Sequence, residues 1–324
     1  MSKGKRIYIN IWDNCNLQCR HCFNNSGKGK GALLSFSEII DLTEKAQSLL
    51  GIQQIQLTGG EPLQRPDIFP IINELLSRGL NVLLQTNGVF DDHSLRKLLD
   101  LPEKHISLII SLDGISTNDY FRGKRSTEKT IYNIKVLSQK FKIRINSVLT
   151  SKINWEEIEQ LAELANKFNC FLAFNPVCPT GRADQALLMP INQYFEWMYK
   201  LEVLRHQGIK LRKSFDIINE QLVEYENCPV RTNPAVHIGA DGDVYPCGYL
   251  INNTESYAGN IKKHSLTELI DMLPPVSKKL AKQCIQCHFY IKNYCHGGCP
   301  ARIYALHNRF GEVEYYCMAE YLNR

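Results

Sequence analysis

The sequence of 324 residues contains no hydrophobic run long enough to cross a bilayer, and its basic first six residues lead into a short strand rather than an apolar signal core. It also lacks a long basic block with interleaved aromatic residues, because the lysines and arginines behind its net charge of +5 are scattered. These absences argue against membrane-spanning, secreted and nucleic-acid-binding proteins. We therefore expect a cytoplasmic protein whose partners include neither nucleic acid nor a membrane.

Cysteine, in contrast, is abundant, with 12 residues. In a reducing compartment, so many thiols are more typical of metal binding than of disulfides. Cys15, Cys19 and Cys22 form a C-x3-C-x2-C array, and the next cysteine is Cys170. Thiolates at this spacing can bind three irons of a four-iron, four-sulfur cluster and leave the fourth iron open for chemistry. The alternatives are a chance triplet and a zinc site completed by a distant ligand.

Two predicted strands frame a possible site around this array. Arg6 to Trp12 (RIYINIW) has the β-branched and aromatic content of a strand, so the cysteines fall on the loop at its C-terminal end. The second strand ends directly in Thr58-Gly59-Gly60-Glu61-Pro62. Paired glycines let a backbone approach a ligand closely and expose peptide groups to a charged amino acid. A glycine pair alone could equally be a simple turn.

In order, spacing and context, these two motifs resemble those of radical S-adenosylmethionine (SAM) enzymes. The resemblance implies a 4Fe-4S cluster on the three cysteines, with the SAM amino and carboxylate groups chelating the open iron. One electron would then cleave the sulfonium bond and release a 5'-deoxyadenosyl radical. The segment that would contact the methionine amino group comprises Gly59, Gly60, Glu61 and Pro62. His21 stands before the third cysteine, where the family usually has an aromatic residue near the adenine.

Alternating apolar and amphipathic runs between residues 6 and 176 predict βα units and a parallel sheet. We expect strands at 6–12, 52–57, 80–85, 106–111, 143–149 and 171–175. We expect helices at 36–50, 67–79, 92–100, 126–140 and 155–168, the first of them opened by a Ser35/Glu38 capping box. Six such units resemble the partial (β/α)6 TIM-like barrel of the family, in which catalytic groups lie beyond the C-terminal ends of the strands.

Polar residues at the ends of the third and fourth strands are further SAM-binding candidates. Their side chains could bond a ribose or a carboxylate, although ordinary Asx turns are an alternative. The resemblance favours SAM, because family members carry similar segments here. These candidates are Thr86, Asn87, Ser111 and Asp113. Asn146 and Arg122 are weaker candidates, and Arg122 could equally be a solvated surface charge.

The last hundred residues hold seven cysteines whose order resembles the SPASM extension of radical SAM enzymes, which carries two auxiliary 4Fe-4S clusters. The resemblance assigns Cys228, Cys247 and Cys299 to the first auxiliary cluster. It assigns Cys284, Cys287, Cys295 and Cys317 to the second, for three clusters in all. The first then lacks a fourth thiolate, which water, another side chain or the substrate could replace. A zinc ribbon is the structural alternative.

The chain is thus expected to divide into a barrel at 1–190, bridging helices at 191–226 and a SPASM domain at 227–324. The bridging helices are predicted at about 191–205 and 214–225. Two cysteines remain outside the clusters. Cys170 is predicted to be a buried apolar residue. Cys178, in the loop after the sixth strand, could be a redox or ligand thiol and is the only, weak, candidate for a catalytic residue.

The resemblance implies hydrogen abstraction from a carbon of a peptide or protein substrate, and we expect a cross-link, thioether or epimerisation in a ribosomally synthesised peptide. The electron would come from a flavodoxin- or ferredoxin-type donor. Because the chain begins just before its first strand, leader binding is expected from the barrel or a separate protein. The alternatives are sulfatase-maturase-like oxidation, tetrapyrrole or sugar modification, and a non-catalytic metal-binding or electron-transfer role. The first of these is disfavoured by Gly248, because sulfatase-maturing members of the family have Asp at this position.

Overall fold

The computed structural model describes residues 6–27, 29, 33–212, 215–218, 221–224, 228, 230 and 236–322. Six parallel strands follow one another in chain order across its main sheet. They are β1 (Arg6–Trp12), β2 (Gln54–Gly59), β3 (Asn81–Thr86), β4 (Ile106–Ser111), β5 (Lys142–Leu149) and β6 (Phe171–Pro176). The helices of this part are α1 (Phe36–Leu50), α2 (Ile68–Ser77), α3 (Asp92–Asp100), α4 (Asn118–Arg122), α5 (Ser126–Leu137), α6 (Trp155–Lys167) and α7 (Ile191–His206). The predicted α/β partial barrel is confirmed.

The strands alternate between two chemically different faces. In β1, Ile7, Ile9 and Ile11 are almost completely buried and belong to the large core formed with the helices. The other face is polar on neighbouring strands, where the Gln56 Nε2 of β2 donates a hydrogen bond to the Gln85 Oε1 of β3 over 2.8 Å. A sheet with this alternation packs its helices on one side and can hold a polar ligand on the other.

Capping chemistry sets the helix boundaries. Ser35 Oγ accepts a hydrogen bond from Glu38 N, and Ser35 N donates to Glu38 Oε2 over 2.8 Å, so the predicted capping box opens α1. Asp67 precedes α2, but its carboxylate pairs with Arg65 (Nε to Oδ1, 2.6 Å) and does not cap the helix. The sequence analysis did not predict α4, since five residues are too few for a periodic signal.

The helix predicted at 214–225 is wrong. The structure has two antiparallel strands there, β7 (Phe215–Ile218) and β8 (Gln221–Glu224). Each strand carries aromatic or β-branched residues, and two residues, Asn219 and Glu220, separate them in the sequence. This spacing is typical of a hairpin, and short apolar runs fit both the helical and the strand period.

The C-terminal part extends the barrel sheet at its β1 edge. β9 (Val236–Ile238) pairs in parallel with β1, followed by β10 (Asp243–Tyr245) and β11 (Gly259–Asn260) in antiparallel pairings. The helices after this extension are short: α8 (Leu266–Asp271), α9 (Lys282–Ile285), α10 (His288–Ile291), α11 (Pro300–His307) and α12 (Met318–Leu322). Within the described ranges, none of the helices has the length and apolar character needed to span a bilayer.

Candidate active site

The loop after β2 lies directly against the cysteine loop after β1. Gly60 N donates to the Trp12 carbonyl oxygen over 2.6 Å, and Glu61 N donates to the Asn14 carbonyl oxygen over 2.9 Å. A Cβ atom on Gly59 would overlap the Trp12 oxygen, and one on Gly60 would overlap the Asn14 oxygen. The two glycines are therefore required for contact between the loops, a role that the sequence analysis did not foresee.

Glu61 joins this pair of loops to the end of β3. Its buried carboxylate accepts hydrogen bonds from Thr86 Oγ1 (2.8 Å) and Leu63 N (3.1 Å) on one oxygen and from Asn87 N (2.7 Å) on the other. Burial raises the pKa of Glu61 to about 7, while these three donors favour the charged form. Glu61 is thus a bridge between β2 and β3, and its contact with SAM stays a prediction.

Asn87 extends the same network to the cysteines. Its Nδ2 donates to Asn16 Oδ1 over 2.8 Å and to Cys15 Sγ over 3.6 Å, and its Oδ1 accepts from Val89 N over 2.7 Å. The segment 86–87 therefore holds both Glu61 and the cysteine loop. The structure brings these sequence candidates together at the C-terminal edge of the parallel strands, as expected for a barrel site.

Asp113 is the centre of a buried ion-pair group beneath the cysteines. Its Oδ2 lies 2.6 Å from Arg122 Nε and 2.9 Å from His21 Nε2, and its Oδ1 accepts from Val148 N. Burial opposes ionisation, but the guanidinium and imidazole hold the pKa of Asp113 well below its usual range. Arg122 is buried and interacts electrostatically with Cys19. The alternative of Arg122 as a solvated surface charge is therefore wrong.

Several buried polar atoms of β1, the cysteine loop and β5 have no hydrogen-bond partner in the described part of the chain. They include His21 Nδ1, Trp12 Nε1 and Asn146 Oδ1. Asn146 pairs with Ser111 in the β4/β5 register. Buried polar groups are normally hydrogen-bonded, so unpaired atoms at strand ends fit the binding of a polar ligand such as SAM.

Glu157 is a site residue that the sequence analysis missed. It lies in α6, and its buried carboxylate accepts hydrogen bonds from the backbone N–H groups of Ile115, Ser116 and Thr117, with 2.9 Å for Ser116 N. A Cβ atom on Gly114 would overlap this carboxylate. Glu157 thus fixes the loop after β4, which carries Asp113. No local motif marks a residue that acts 40 positions away.

Burial raises the pKa of four of the predicted ligand thiols, and backbone N–H groups that bond to their sulfurs oppose this rise. Cys15 Sγ accepts a hydrogen bond from Leu17 N over 3.4 Å. Backbone N–H groups two and three residues downstream also reach the sulfurs of Cys247, Cys299 and Cys317. Such bonds stabilise sulfur charge and tune iron-sulfur clusters. Cys170 differs, because it is buried as predicted and its thiol instead donates to the Phe168 carbonyl oxygen.

The C-terminal cysteines fall into two groups. Cys247 interacts electrostatically with Cys299 and Cys228, and these three thiols pack around one small buried cluster. Cys317 interacts in the same way with Cys287. Among the described residues, no three His, Cys, Asp or Glu side chains are arranged to hold a single metal ion.

Tyr249, two residues after Cys247, touches the cysteine loop of the barrel. The Phe23 ring meets the Tyr249 ring edge to face, with centroids 4.7 Å apart. A Cβ atom on Gly248 would lie 3.1 Å from the Nδ1 of His237, whose ring stacks on Tyr8. Burial lowers the pKa of His237 to about 3, so this imidazole is neutral. The position before Tyr249 is therefore packed against a histidine rather than open for an acidic side chain.

Comparison with known proteins agrees with this geometry. The Radical SAM superfamily model matches residues 9–165, and the SPASM model, an iron-sulfur cluster-binding domain, matches residues 228–300. The AdoMet-dependent heme synthase of Methanosarcina barkeri is 30% identical over 94% of this chain and 93% of that protein. The mycofactocin maturase MftC of Mycolicibacterium smegmatis is 26% identical over 89% of this chain and 76% of that protein.

Among solved structures, Streptococcus suis SuiB bound to the precursor peptide SuiA superposes with a TM-score of 0.74 at 18% identity, covering 94% of this chain and 73% of that one. Fold and site together define an iron-sulfur enzyme that uses SAM. More specifically, the chain belongs to the radical SAM superfamily and carries a SPASM domain. Membership implies 4Fe-4S clusters and SAM as cofactors.

Proposed function

We propose that this enzyme modifies a ribosomally synthesised peptide by hydrogen abstraction, forming a cross-link, a thioether or an epimerised residue. The observation that carries the proposal is the shared fold with SuiB, whose structure contains a precursor peptide, over 94% of the chain. Similarity to the maturase MftC over 89% of the chain supports the same class. The substrate would be a peptide or protein, with leader binding by the barrel or by a separate protein.

Three 4Fe-4S clusters are part of this proposal. Cys15, Cys19 and Cys22 would hold the SAM-binding cluster, because they share one loop with N–H and Asn87 contacts to sulfur. When bound, this cluster and SAM supply a 5'-deoxyadenosyl radical. The first auxiliary cluster would use Cys228, Cys247 and Cys299. The second would use Cys284, Cys287, Cys295 and Cys317.

The residues of the barrel would position SAM and keep water out. Segments 59–62 and 86–87 lock the loops after β1, β2 and β3 together, so the ligand-binding atoms keep a fixed geometry. The Arg122 guanidinium places a buried positive charge beside the thiol of Cys19. An external one-electron donor of the flavodoxin or ferredoxin type would supply the electron.

Anaerobic reconstitution tests the cofactor assignment. With dithionite and SAM, the parent protein should contain about twelve irons per chain and release 5'-deoxyadenosine. The variant with Cys15, Cys19 and Cys22 all changed to Ala should keep about eight irons and release none. A stable parent preparation with only about four irons would disprove the auxiliary clusters, and cleavage by the triple variant would disprove the SAM site.

Co-expression tests the substrate class. Each short open reading frame beside the gene is expressed with the enzyme in D2O and in H2O, and the peptide masses are compared. A cross-link or thioether removes hydrogen, whereas epimerisation leaves the mass in H2O unchanged and adds deuterium in D2O. Unchanged masses in both solvents for every neighbouring peptide would remove the peptide assignment.

A tetrapyrrole substrate is the second candidate. It is favoured by the heme synthase relative, which is 30% identical over almost the whole chain. Incubation of the reduced enzyme and SAM with iron porphyrins, followed by absorption spectra and product masses, would separate the two. Sulfatase-maturase-like oxidation is less favoured, because Gly248 packs against His237 and offers no side-chain base.

A further inference from the structure

We propose that Cys178, in the barrel loop after β6, is the fourth protein ligand of the first auxiliary cluster. The proposal rests on the proposed function in one respect, namely that Cys228, Cys247 and Cys299 bind that cluster. Cys178 would fill the coordination position for which the C-terminal sequence offers no cysteine. The ligand would come from the barrel rather than from the SPASM domain.

The first argument is position. Cys178 is 4% exposed and forms a small buried apolar group with Val230, Leu250, Val276 and Ala301. The three thiols proposed as ligands pack against this same apolar group: Cys228, Cys247 and Cys299. Four cysteines, 121 positions apart at the extremes (299 minus 178), thus meet at one place in the fold. A set of four thiols is the usual complement of a 4Fe-4S cluster.

The second argument is the surroundings of the Cys178 thiol. Its strongest interaction with another thiol is with Cys299, followed by Cys247. Within the described part of the chain, its sulfur makes no hydrogen bond, unlike the thiol of Cys170. Iron binding would release the Cys178 proton as the sulfur-iron bond forms, and the metal would then balance the thiolate charge.

The third argument is the backbone that holds the loop. The Val177 carbonyl oxygen accepts a hydrogen bond from Arg302 Nη1 over 3.5 Å. Arg302 Nε pairs with Glu314 Oε1 over 2.6 Å, and the other oxygen of Glu314 accepts from Cys299 N over 2.6 Å. One buried arginine-glutamate pair therefore fixes both the Cys178 loop and the backbone of Cys299. This arrangement fixes the positions of the two thiols relative to each other.

Tyr249 is the competing ligand at this place. Its buried phenol interacts electrostatically with Cys178, Cys247 and Cys299. Iron-sulfur clusters are held mainly by soft thiolates rather than by phenolate oxygen. We therefore assign the iron to Cys178 and treat Tyr249 as the alternative that the experiment must separate.

Full protein ligation has a functional consequence. With Cys178 bound, no iron of the first auxiliary cluster is open to the substrate, so this cluster would transfer electrons rather than anchor a substrate group. The same loop also reaches the SAM site, because Arg182 Nε donates to the Cys19 carbonyl oxygen (2.8 Å) and Arg182 N to that of Cys22 (2.9 Å). Cys178 and Arg182, four positions apart on one loop, would then link the two cluster sites.

The test uses the full-length protein with Cys15, Cys19 and Cys22 changed to Ala, which removes the open iron of the SAM site. Cys178→Ala, Cys170→Ala and Tyr249→Phe are each added to this background, and the reduced proteins are examined with 15N-imidazole by pulsed EPR and by iron analysis. We expect nitrogen coupling only in Cys178→Ala, together with a three-iron EPR signal after mild oxidation. Cys170→Ala is the matched control for loss of a buried thiol.

The outcomes are distinct. Nitrogen coupling in the background protein itself, or identical spectra for Cys178→Ala and Cys170→Ala, would overturn the proposal while leaving the auxiliary clusters in place. If nitrogen coupling appeared in Tyr249→Phe and not in Cys178→Ala, the ligand would be Tyr249, which would also overturn the proposal. A background protein without about eight irons would instead disprove the auxiliary clusters themselves. If Cys178→Ala does not accumulate, Cys178→Ser must shift the EPR spectrum where Cys170→Ser does not.

Discussion

At the scale of single residues, each of two thiol groups has a buried arginine beside it. Arg122 pairs with Asp113 near Cys19, and Arg302 pairs with Glu314 near Cys299. Burial raises the pKa of both thiols, the nearby guanidinium opposes that rise, and the carboxylate holds the guanidinium in place. Each pair therefore contributes to the fold and, under the proposed cluster assignment, would favour the ligand thiolates of Cys19 and Cys299.

Removing the charge of Arg122 tests how much its pairing with Asp113 contributes to the free energy of unfolding. We predict that Arg122→Met lowers the free energy of unfolding by about 3–5 kcal/mol, because it leaves Asp113 buried without its main partner. Adding Asp113→Asn should recover part of the loss, since the uncompensated charge is then gone. The measurement is anaerobic urea denaturation, with the exposed Lys124→Met as control. A double variant less stable than Arg122→Met would contradict this account.

At the scale of elements, the site depends on loops that hold one another at the strand ends. The loop after β2 binds the loop after β1 through backbone hydrogen bonds, and α6 holds the loop after β4 through Glu157. Because these loops contact one another directly, a displacement at one contact moves the atoms at the next. Substitutions at these contacts should therefore affect cofactor binding before they affect the core.

Gly60 provides a direct test of the first contact. A Cβ atom there would overlap the Asn14 carbonyl oxygen, so Gly60→Ala must displace the cysteine loop. We predict that about four of about twelve irons are lost and that 5'-deoxyadenosine formation falls with them. Gly51→Ala is the control, because its φ of 61° strains an alanine while its Cβ position is open, so it separates backbone strain from a clash with the cysteine loop. Equal iron content in the two variants would show that the loops do not depend on this glycine.

Glu157 provides the test of the second contact. In Glu157→Gln an amide NH2 would face backbone N–H donors, so the loop of residues 115–117 loses an acceptor. We expect unfolding to become easier by about 1–3 kcal/mol, and the KM for SAM to rise more than kcat falls. Glu156→Gln changes the exposed neighbour and should leave both quantities unaltered. A rise in KM for both variants would rule out a specific role for Glu157.

Local sequence patterns predicted most of the strands and helices but not the contacts between them. The six strands, the capping box at Ser35 and the strand-end motifs follow from periodicity and short spacing. The partners of Glu157 and Arg122 do not, because contacts between distant positions leave no periodic signal. The hairpin of β7 and β8 was misread as a helix for a related reason, since runs of four residues do not distinguish the two periods.

At the scale of the whole molecule, stability is unevenly divided. One large apolar core joins the barrel to β9 and β10, whereas the apolar group around Cys178 contains five buried residues among those that the structure describes. The short helix α9 contains Cys284, α10 begins directly after Cys287, and neither helix has a buried residue. Four-residue helices are marginal in water without tertiary support. Phe289 of α10 packs against the large core, and under the proposed assignment metal ligation would add further support, because cluster binding couples to folding.

Iron removal should therefore loosen one end of the molecule selectively. We predict that anaerobic chelation speeds amide hydrogen exchange in the segment 282–295 by at least about tenfold, which corresponds to about 1.4 kcal/mol of lost protection. Exchange in β3 and α1 should change little, since their apolar contacts do not involve sulfur. Reconstitution should restore protection in the same segment. If loaded and stripped protein exchanged alike at 282–295, the second auxiliary cluster could not be what holds α9 and α10 in place.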